Sequence, residues 1–286
     1  MSEFGIFHLV YLITISVISV LFIGHSVMNR QKITIRDVTF NDYFRTWCEH
    51  HDVKTPIEEI KGPLPPYLKS FFVVGKLYAR TGITANKVSL LGLIWAFWTL
   101  ECWFLGGGWI LLSFVFILFS GTTDSIDGVV AYLTDTESKL GAYYDAVLDK
   151  FGDILWVAGP IYYILTNPII QSTYNNFWIT TFVLVGIFTV LLALIQEFSR
   201  ARQEGLGLEE TKAVIGERIT RFLCLLLING IIGFSNFFTI LIPNPGFIAV
   251  NIWIITYIIP ILFFSLLGLA IISIIQLTRH AQKQWK

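Results

Sequence analysis

Long apolar segments alternate with short polar ones along the chain of 286 residues. A run of about 18 or more apolar residues with few charges predicts a transmembrane helix. The pattern predicts such helices near 6–25, 88–106, 109–133, 140–166, 176–198, 217–242 and 246–277. The last segment is longer than a bilayer requires, so we expect it to tilt or to project beyond the hydrocarbon.

Two amphipathic helices are predicted in the polar region before the second span. The first presents one aromatic face suited to the membrane interface, formed by Phe40, Tyr43, Phe44 and Trp47. The second covers 66–80, with an apolar face formed by Tyr67, Phe71, Val74 and Tyr78. The predicted fold is an all-α integral membrane protein, with a six-helix transmembrane bundle, an additional N-terminal transmembrane helix and interfacial helices. We expect residues 1–65 to form an N-terminal anchor and interfacial segment, and residues 66–286 to form the membrane domain.

The basic residues predict an orientation. Except for Lys150, they fall on one predicted side of the membrane or in helix ends adjoining it, and the loops near 106–108, 167–175 and 242–246 contain none. Basic loops remain in the cytoplasm. We therefore expect a multi-pass protein of the cell membrane with its N-terminus outside and its C-terminus inside, which agrees with an odd number of spans.

Composition narrows the class further. Hydrophobic residues make up 55% of the chain and charged residues 14%, whereas soluble domains are roughly 25% charged. The net charge is zero, so no nucleic-acid partner is expected. The cysteines lie far apart and form no CxxC pair, which argues against a disulfide framework or a zinc site. Cys48, His50 and His51 could begin a metal site, but no second half follows, and an interfacial loop is the preferred interpretation.

Four aspartates lie inside two neighbouring predicted spans. Asp124 and Asp127 are three residues apart, and Asp145 and Asp149 are four apart, so each pair shares a helix face. The polar link 133–139 is short, which predicts antiparallel helices. At ~1.5 Å per residue, the four carboxylates lie roughly 9–15 Å from the linked helix ends. An unpaired aspartate at the centre of a span costs ~2.5–3.5 kcal/mol, so the cluster requires protons or cations.

The chemistry of this cluster predicts a hard divalent metal ion. Neither His nor Cys lies nearby in the sequence, and carboxylates select Mg²⁺, Mn²⁺ or Ca²⁺ over zinc or copper. Four carboxylates balance two divalent ions, and two ions about 4 Å apart suit phosphoryl transfer because they hold both oxygens of an in-line displacement. Gly128 and Ala131 lie on the same face, where small residues permit close helix packing or leave room for a planar ligand.

Other functional classes use intramembrane aspartates. A divalent-cation transporter could use the same carboxylates as an ion path, although broken helices and an inverted repeat are not evident. An intramembrane aspartyl protease would need a Gly-x-Gly-Asp motif, which is absent. A prenyltransferase would need a second aspartate-rich motif far along the chain, whereas these carboxylates form a single cluster. The transporter therefore remains the alternative from another class.

The stretch 124–149 resembles the signature of the CDP-alcohol phosphotransferases, Asp-x2-Asp-Gly-x2-Ala-Arg-x8-Gly-x3-Asp-x3-Asp. Seven of the eight fixed positions are met at the correct spacing, and the resemblance extends over about 66–280. The exception is Tyr132, which stands where the family has Arg. We expect a phosphate contact to weaken there or to pass to Lys76, Lys87 or Lys139.

The resemblance implies an enzyme that transfers a lipid-phosphate unit, phosphatidyl or archaetidyl, from a CDP-lipid to a polar alcohol and releases CMP. It also implies two Mg²⁺ or Mn²⁺ ions, a homodimer and an active site facing the cytoplasm. Asp149 would be the catalytic base. The implied metal ligands are Asp124, Asp127, Asp145 and Asp149. The implied CDP-binding residues are Asn86, Asp124, Asp127, Gly128 and Ala131.

A second stretch bears on the acceptor alcohol. Residues 200–221 resemble the Arg-Ala-x-Ala-Glu-x-x-Gly and Glu-Arg-x-x-Arg pattern of phosphatidyl- and archaetidylinositol phosphate synthases, except that Gln203 replaces an Ala. The implied ligands of an acceptor phosphate are Arg200, Arg202, Arg218 and Arg221. Inositol phosphate is the leading acceptor, and glycerol phosphate, serine or an inositol-lipid precursor are alternatives within the family. A basic loop that only sets topology would explain the same charges.

Overall fold

The computed structural model of the protein describes residues 3–30, 34–50, 53, 55–208 and 218–284. Every regular element within these residues is helical, as predicted. The helices are α1 (Glu3–Met28), α2 (Phe40–His50), α3 (Leu64–Arg80), α4 (Ala85–Leu105), α5 (Ile110–Thr134), α6 (Lys139–Thr166), α7 (Pro168–Thr173), α8 (Asn176–Gly205), α9 (Arg218–Leu241), α10 (Pro245–Trp253) and α11 (Ile259–Gln284). A short 3₁₀ turn precedes α5, and a π-helical turn joins α10 to α11.

Asparagine side chains begin three of the helices that follow predicted loops. Asn167, Asn175 and Asn244 each accept a hydrogen bond from a backbone amide of the first turn, at the starts of α7, α8 and α10. A capping side chain satisfies an amide that has no partner within the helix. The capped helix starts therefore lie in the polar segments that separate the apolar runs.

Six helical segments among the described residues are long and apolar enough to cross a membrane. They are His8–Met28, Ala85–Leu105, Gly107–Thr134, Asn176–Gly205, Arg218–Leu241 and Pro245–Gln284. Helix α6 occupies the remaining predicted span with 28 residues, and it carries several charged side chains, including two of the predicted metal ligands. The prediction of an all-helical, multi-pass membrane protein is confirmed, while the orientation of its termini stays a prediction.

The last predicted span is interrupted near its middle. It runs through 40 residues, and its helix widens into the π-helical turn Ile254–Ile258 shortly before Pro260. Proline has no amide hydrogen and cannot donate to the carbonyl four residues earlier. That carbonyl belongs to Thr256, and the hydroxyl of Tyr174 donates to it instead. The interruption is therefore compensated by a side chain from the loop before α8.

The described residues divide into two compact units by their contacts. The first, here called the terminal unit, contains the chain up to His8, residues 96–118 and the chain from Asp153 onward. The second, here called the aspartate unit, contains 9–95 and 119–152. The predicted division at residue 65 stays a prediction.

The core of the terminal unit contains buried aromatic residues and one buried asparagine. Trp103, Trp156 and Phe263 are each 1% exposed. The side chain of Asn229 accepts hydrogen bonds from the Trp103 indole at 2.9 Å and from Ser113 at 2.5 Å, and it donates to the backbone at 2.7 Å. A buried amide with these partners carries little of the cost of burying a polar group. It fixes the mutual positions of α4, α5 and α9 within this unit.

In the aspartate unit both amphipathic helices pack against protein on one face, which corrects the predicted interfacial position of the aromatic face of α2. The buried face of α3 consists of Leu68, Phe71, Phe72, Gly75 and Ala79, whereas Tyr67 and Val74 of the predicted face are exposed. The physical reason is close packing, because a Cβ at Gly75 would lie 2.4 Å from Val129 of α5. The aromatic face of α2 packs on protein, with Tyr43 and Phe44 buried beside α3.

Candidate metal centre and active site

Helices α5 and α6 bring three of the predicted carboxylates together. Ligand atoms of Asp124, Asp145 and Asp149 all lie within 4.8 Å of one another. Asp124 is exposed and the other two are half-buried. The helical spacing of the aspartates and the short link between α5 and α6 produce this arrangement, as the sequence predicted.

The fourth carboxylate lies deeper beside the other three. Asp127 is 6% exposed and accepts a hydrogen bond from the hydroxyl of Ser89 on α4. Its charged neighbours are Asp145 and Asp124. Ser89 was not predicted as a site residue, although it follows Asn86 by three positions and therefore shares its helix face.

This donor set fits a hard divalent cation. Ions such as Mg²⁺, Mn²⁺ and Ca²⁺ bind carboxylate oxygens at roughly 2.0–2.6 Å, so two oxygens on one ion lie about 3–5 Å apart. The 4.8 Å limit on the separations within the cluster meets this requirement. Like charges held this closely repel one another unless cations or protons neutralise them.

Gly128 lines open space beside the cluster. A Cβ added at Gly128 would meet no heavy atom within 4 Å, whereas one at Gly92 would lie 2.1 Å from Thr123. Gly92 therefore serves close packing of α4 on α5, and Gly128 does not. Ala131 is half-buried and Asn86 is exposed. The Asn86 side chain lies 3.3 Å from the Cβ position of Gly141, at the start of α6.

Residues of the N-terminal segment cover the C-terminal end of α5. The Arg36 amide donates to the Leu133 carbonyl at 2.8 Å, and the Arg36 guanidinium forms an ion pair with Asp135. This guanidinium also lies 5.9 Å from the centre of the Tyr132 ring. Tyr43 packs edge-on against Tyr132 at 5.3 Å. Arg36 was not predicted as a site residue, because no periodicity connects positions almost one hundred residues apart.

The pKa of Tyr43 depends on its burial and on nearby carboxylates. Burial raises the pKa of Tyr43 to about 12, and the carboxylates of Glu137 and Asp127 contribute in the same direction. The phenol therefore stays protonated at neutral pH.

The three lysines that were expected to replace the missing arginine have different surroundings. Lys87 donates to the Asn29 carbonyl at 3.3 Å. Lys76 is half-buried and Lys139 is exposed. Among the described residues, it is the Arg36 guanidinium that lies over the Tyr132 ring.

Two of the predicted acceptor-binding arginines converge on one carboxylate of the terminal unit. Arg218 Nε lies 3.3 Å from Asp153, and Arg221 lies 3.6 Å from Asp153 and donates to Gln196 at 2.7 Å. The Arg218 guanidinium lies 5.5 Å from the ring centre of Trp156. Asp153 was missed, although it continues the four-residue spacing of Asp145 and Asp149 on α6.

The other acceptor-site predictions are only partly covered by the described residues. Arg200 is half-buried and Arg202 is exposed, near the end of α8. Glu217, the first residue of the predicted Glu-Arg-x-x-Arg pattern, lies outside the described residues. His51 of the possible Cys-His metal site also lies outside them, and Cys48 is buried beside apolar residues of α2 and α3.

Comparisons with known proteins find relatives that match more than half of the chain. Over 165 residues the chain is 27% identical to an uncharacterized protein of Aquifex aeolicus (strain VF5), covering 57% of this chain and 77% of that protein. It is also 27% identical over 169 residues to a phosphatidylinositol phosphate synthase of Cutibacterium acnes (strain DSM 16379 / KPA171202), covering 55% of this chain and 70% of that protein.

Solved structures of the phosphatidylinositol phosphate synthase of Mycobacterium tuberculosis share the fold. The structure with manganese and citrate has a TM-score of 0.57 at 18% identity, covering 74% of this chain and 88% of the other. The structure with CDP-DAG bound has a TM-score of 0.53 at 20% identity, covering 76% and 94%.

A family model provides the assignment. The model described as CDP-alcohol phosphatidyltransferase matches residues 82–271, well over half of the chain. The match contains the four aspartates and the helices that carry them. It confirms the prediction of a transferase that uses a CDP-lipid and an alcohol, in preference to a cation transporter. The chain belongs to the CDP-alcohol phosphatidyltransferase family.

Proposed function

We propose that this enzyme transfers the lipid-phosphate unit of its CDP-lipid to a hydroxyl of inositol phosphate and releases CMP. The observation that carries the proposal is the carboxylate cluster on α5 and α6, whose ligand atoms lie within 4.8 Å of one another. The likeness to a phosphatidylinositol phosphate synthase supports the choice of acceptor.

Asp124, Asp127, Asp145 and Asp149 hold the divalent ions in this proposal, and two ions bind. Bound there, the ions supply positive charge to the pyrophosphate and stabilise the CMP that leaves. The open space at Gly128, together with Ala131 and Asn86, receives the cytidine part of the donor. The hydrogen bond from Ser89 keeps the buried Asp127 carboxylate oriented toward its neighbours.

Asp149 acts as the base in the transfer step. Its carboxylate takes the proton of the acceptor hydroxyl, while the hydroxyl oxygen forms a bond to the lipid-side phosphorus. The bond from that phosphorus to the bridging oxygen breaks, and the electron pair leaves with CMP. Asp149 is half-buried, so it is accessible to an acceptor that enters beside the cluster.

The acceptor phosphate requires cations of its own. Arg202 is exposed and the Arg218 side chain is 21% exposed, so both are available for charge-assisted hydrogen bonds to a phosphate. Arg200 completes this group near the end of α8. Arg221 is buried against Gln196 and Asp153 and acts by holding Asp153, which in turn orients Arg218.

Purified protein in defined vesicles tests the acceptor. CDP-diacylglycerol or its isoprenoid ether counterpart is supplied with Mg²⁺, and CMP release is compared for inositol phosphate, glycerol phosphate, serine and unphosphorylated inositol. We expect inositol phosphate to give the highest kcat/KM. Arg202→Ala and Arg218→Ala should raise the acceptor KM and leave the donor KM unchanged, because a lost charge-assisted contact costs ~1.5–3 kcal/mol.

The same assay contains the outcomes that contradict the proposal. Vesicles without the enzyme give the background release of CMP, and a near-normal kcat in Asp149→Asn contradicts the role of Asp149 as base. If serine or unphosphorylated inositol serves as well as inositol phosphate, the phosphate-binding role of the arginines is wrong. If glycerol phosphate is preferred, the arginines keep their role and the acceptor assignment changes.

A further inference from the structure

One face of α5 leads from the metal centre to the single departure from the family signature. Asp124, Gly128 and Tyr132 are spaced by four residues and therefore lie on the same side of the helix. Asp124 belongs to the carboxylate cluster, and Gly128 borders open space. Position 132 is the next along this face, where the signature has an arginine.

A different segment of the chain brings an arginine to this place. Arg36 lies well outside the family match of residues 82–271. Its amide donates to the carbonyl of Leu133 at 2.8 Å, which fixes the segment at the end of α5. Its guanidinium lies 5.9 Å from the centre of the Tyr132 ring.

Tyr132 and Arg36 fit one another. Tyr132 is 9% exposed, and its ring contacts both the Arg36 guanidinium and the Tyr43 ring. An aromatic ring attracts a cation over its face. An arginine at position 132 would remove this ring and set a second positive charge against Arg36. The departure from the signature is therefore the change expected when the cation comes from elsewhere in the chain.

We propose that Arg36 supplies to the pyrophosphate of the CDP-lipid the positive charge that the signature places at position 132. This inference rests on the proposed function for the donor only, and it does not depend on the acceptor. The Arg36 side chain is 44% exposed and that of its partner Asp135 is 72% exposed. An exposed ion pair is weak and exchanges readily. The guanidinium keeps further N–H groups that can bind a phosphate while it contacts Asp135.

If Arg36 only fastened the N-terminal segment to α5 and did not bind phosphate, its variants would behave differently. Removing either Arg36 or Asp135 would break a clamp equally. For a phosphate contact, the loss of Arg36 weakens donor binding, whereas the loss of Asp135 does not. Asp135 adopts a left-handed backbone conformation with φ of 55°, which asparagine also tolerates, so Asp135→Asn is the suitable control.

The experiment measures the binding of CDP-diacylglycerol with Mg²⁺ and without acceptor, the donor KM and Tm for five proteins. They are the wild type, Arg36→Ala, Asp135→Asn, Tyr132→Arg and the double variant Arg36→Ala/Tyr132→Arg. We expect Arg36→Ala to weaken donor binding roughly tenfold, with Asp135→Asn close to wild type. Tyr132→Arg alone should also weaken binding, and the double variant should recover most of the loss.

Donor binding decides the inference separately from the acceptor. Unchanged donor affinity in Arg36→Ala overturns it, and so does an equal loss in Asp135→Asn. A double variant that keeps its Tm without recovering affinity also overturns it. If Arg36→Ala does not fold, Arg36→Lys replaces it. Wild-type donor affinity in Arg36→Lys, together with weaker donor binding in Asp135→Asn, also overturns the inference. An inactive inositol phosphate assay contradicts the proposed acceptor and leaves these binding results intact.

Discussion

Replacing Arg221 by alanine tests whether this residue stabilises the fold through its buried contacts or binds the acceptor directly. The residue is 5% exposed, and its guanidinium donates to Gln196 at 2.7 Å and lies 3.6 Å from Asp153. Removing one partner of a buried ion pair costs ~3–5 kcal/mol, because it leaves the other charge buried. Asp153 keeps its contact with Arg218 at 3.3 Å, so we expect a loss near the lower end, about 3 kcal/mol.

Arg218→Ala is the matched comparison. The Arg218 side chain is 21% exposed, so water can replace part of the interaction that the alanine variant loses. One charge-assisted hydrogen bond at such a site contributes about 1.5 kcal/mol. At about 2–4 °C per kcal/mol, Arg221→Ala should lower Tm by roughly 6–12 °C and Arg218→Ala by roughly 3–6 °C.

Thermal unfolding in one detergent at one scan rate measures this difference, since the apparent Tm depends on the rate of heating. The acceptor KM is measured on the same preparations. Asp153→Asn combined with Arg221→Ala should lose less stability than the sum of the single losses, because no buried charge is left unpaired. An unchanged Tm with a raised acceptor KM in Arg221→Ala would refute this reasoning and make Arg221 a direct ligand of the acceptor.

Three further predictions concern the metal centre and its surroundings. Excess EDTA should abolish CMP release and Mg²⁺ or Mn²⁺ should restore it, whereas Ca²⁺, with its looser coordination, should restore little; persistent activity in EDTA contradicts the metal centre. Asp149→Asn should lose kcat while binding the CDP-lipid, whereas Asp124→Asn and Asp127→Asn should also lose donor affinity; a near-normal kcat in Asp149→Asn contradicts its role as base. Gly128→Leu should keep its Tm, since an added Cβ meets nothing within 4 Å, but should raise the donor KM at least ~10-fold. Gly268→Leu, which is equally open, should change neither quantity.

The helices and the carboxylate cluster could be predicted from the sequence because the membrane imposes a high free-energy cost on unpaired backbone groups and on unneutralised charges. Apolar runs long enough to span have few alternative folds. Charged residues within them have to be neutralised by a partner or an ion. The spacing of Asp124, Asp145 and Asp149 then left few arrangements, and their ligand atoms do lie within 4.8 Å of one another.

Contacts that depend on packing could not be predicted in the same way. The buried face of α3 is set by the close approach of Gly75 to Val129, whereas hydropathy identified only an apolar face that includes Tyr67 and Val74. The pairing of Arg221 with Asp153 and the position of Arg36 join segments that are distant in the sequence. Local periodicity contains no information about such pairs. Asp153 is the exception, because the four-residue spacing on α6 already indicated its face.

The ranges of the two units along the sequence also bear on the order in which they are synthesised. Every residue of the aspartate unit lies before Asp153, so this unit is fully synthesised while nearly half of the chain is still to come. At about 5–20 residues per second, the ribosome needs on the order of 10 s to complete the remainder. During that interval the carboxylates of α5 and α6 can already bind cations from the surrounding water. The nascent chain therefore has the means to neutralise its most costly residues before its last helices enter the bilayer.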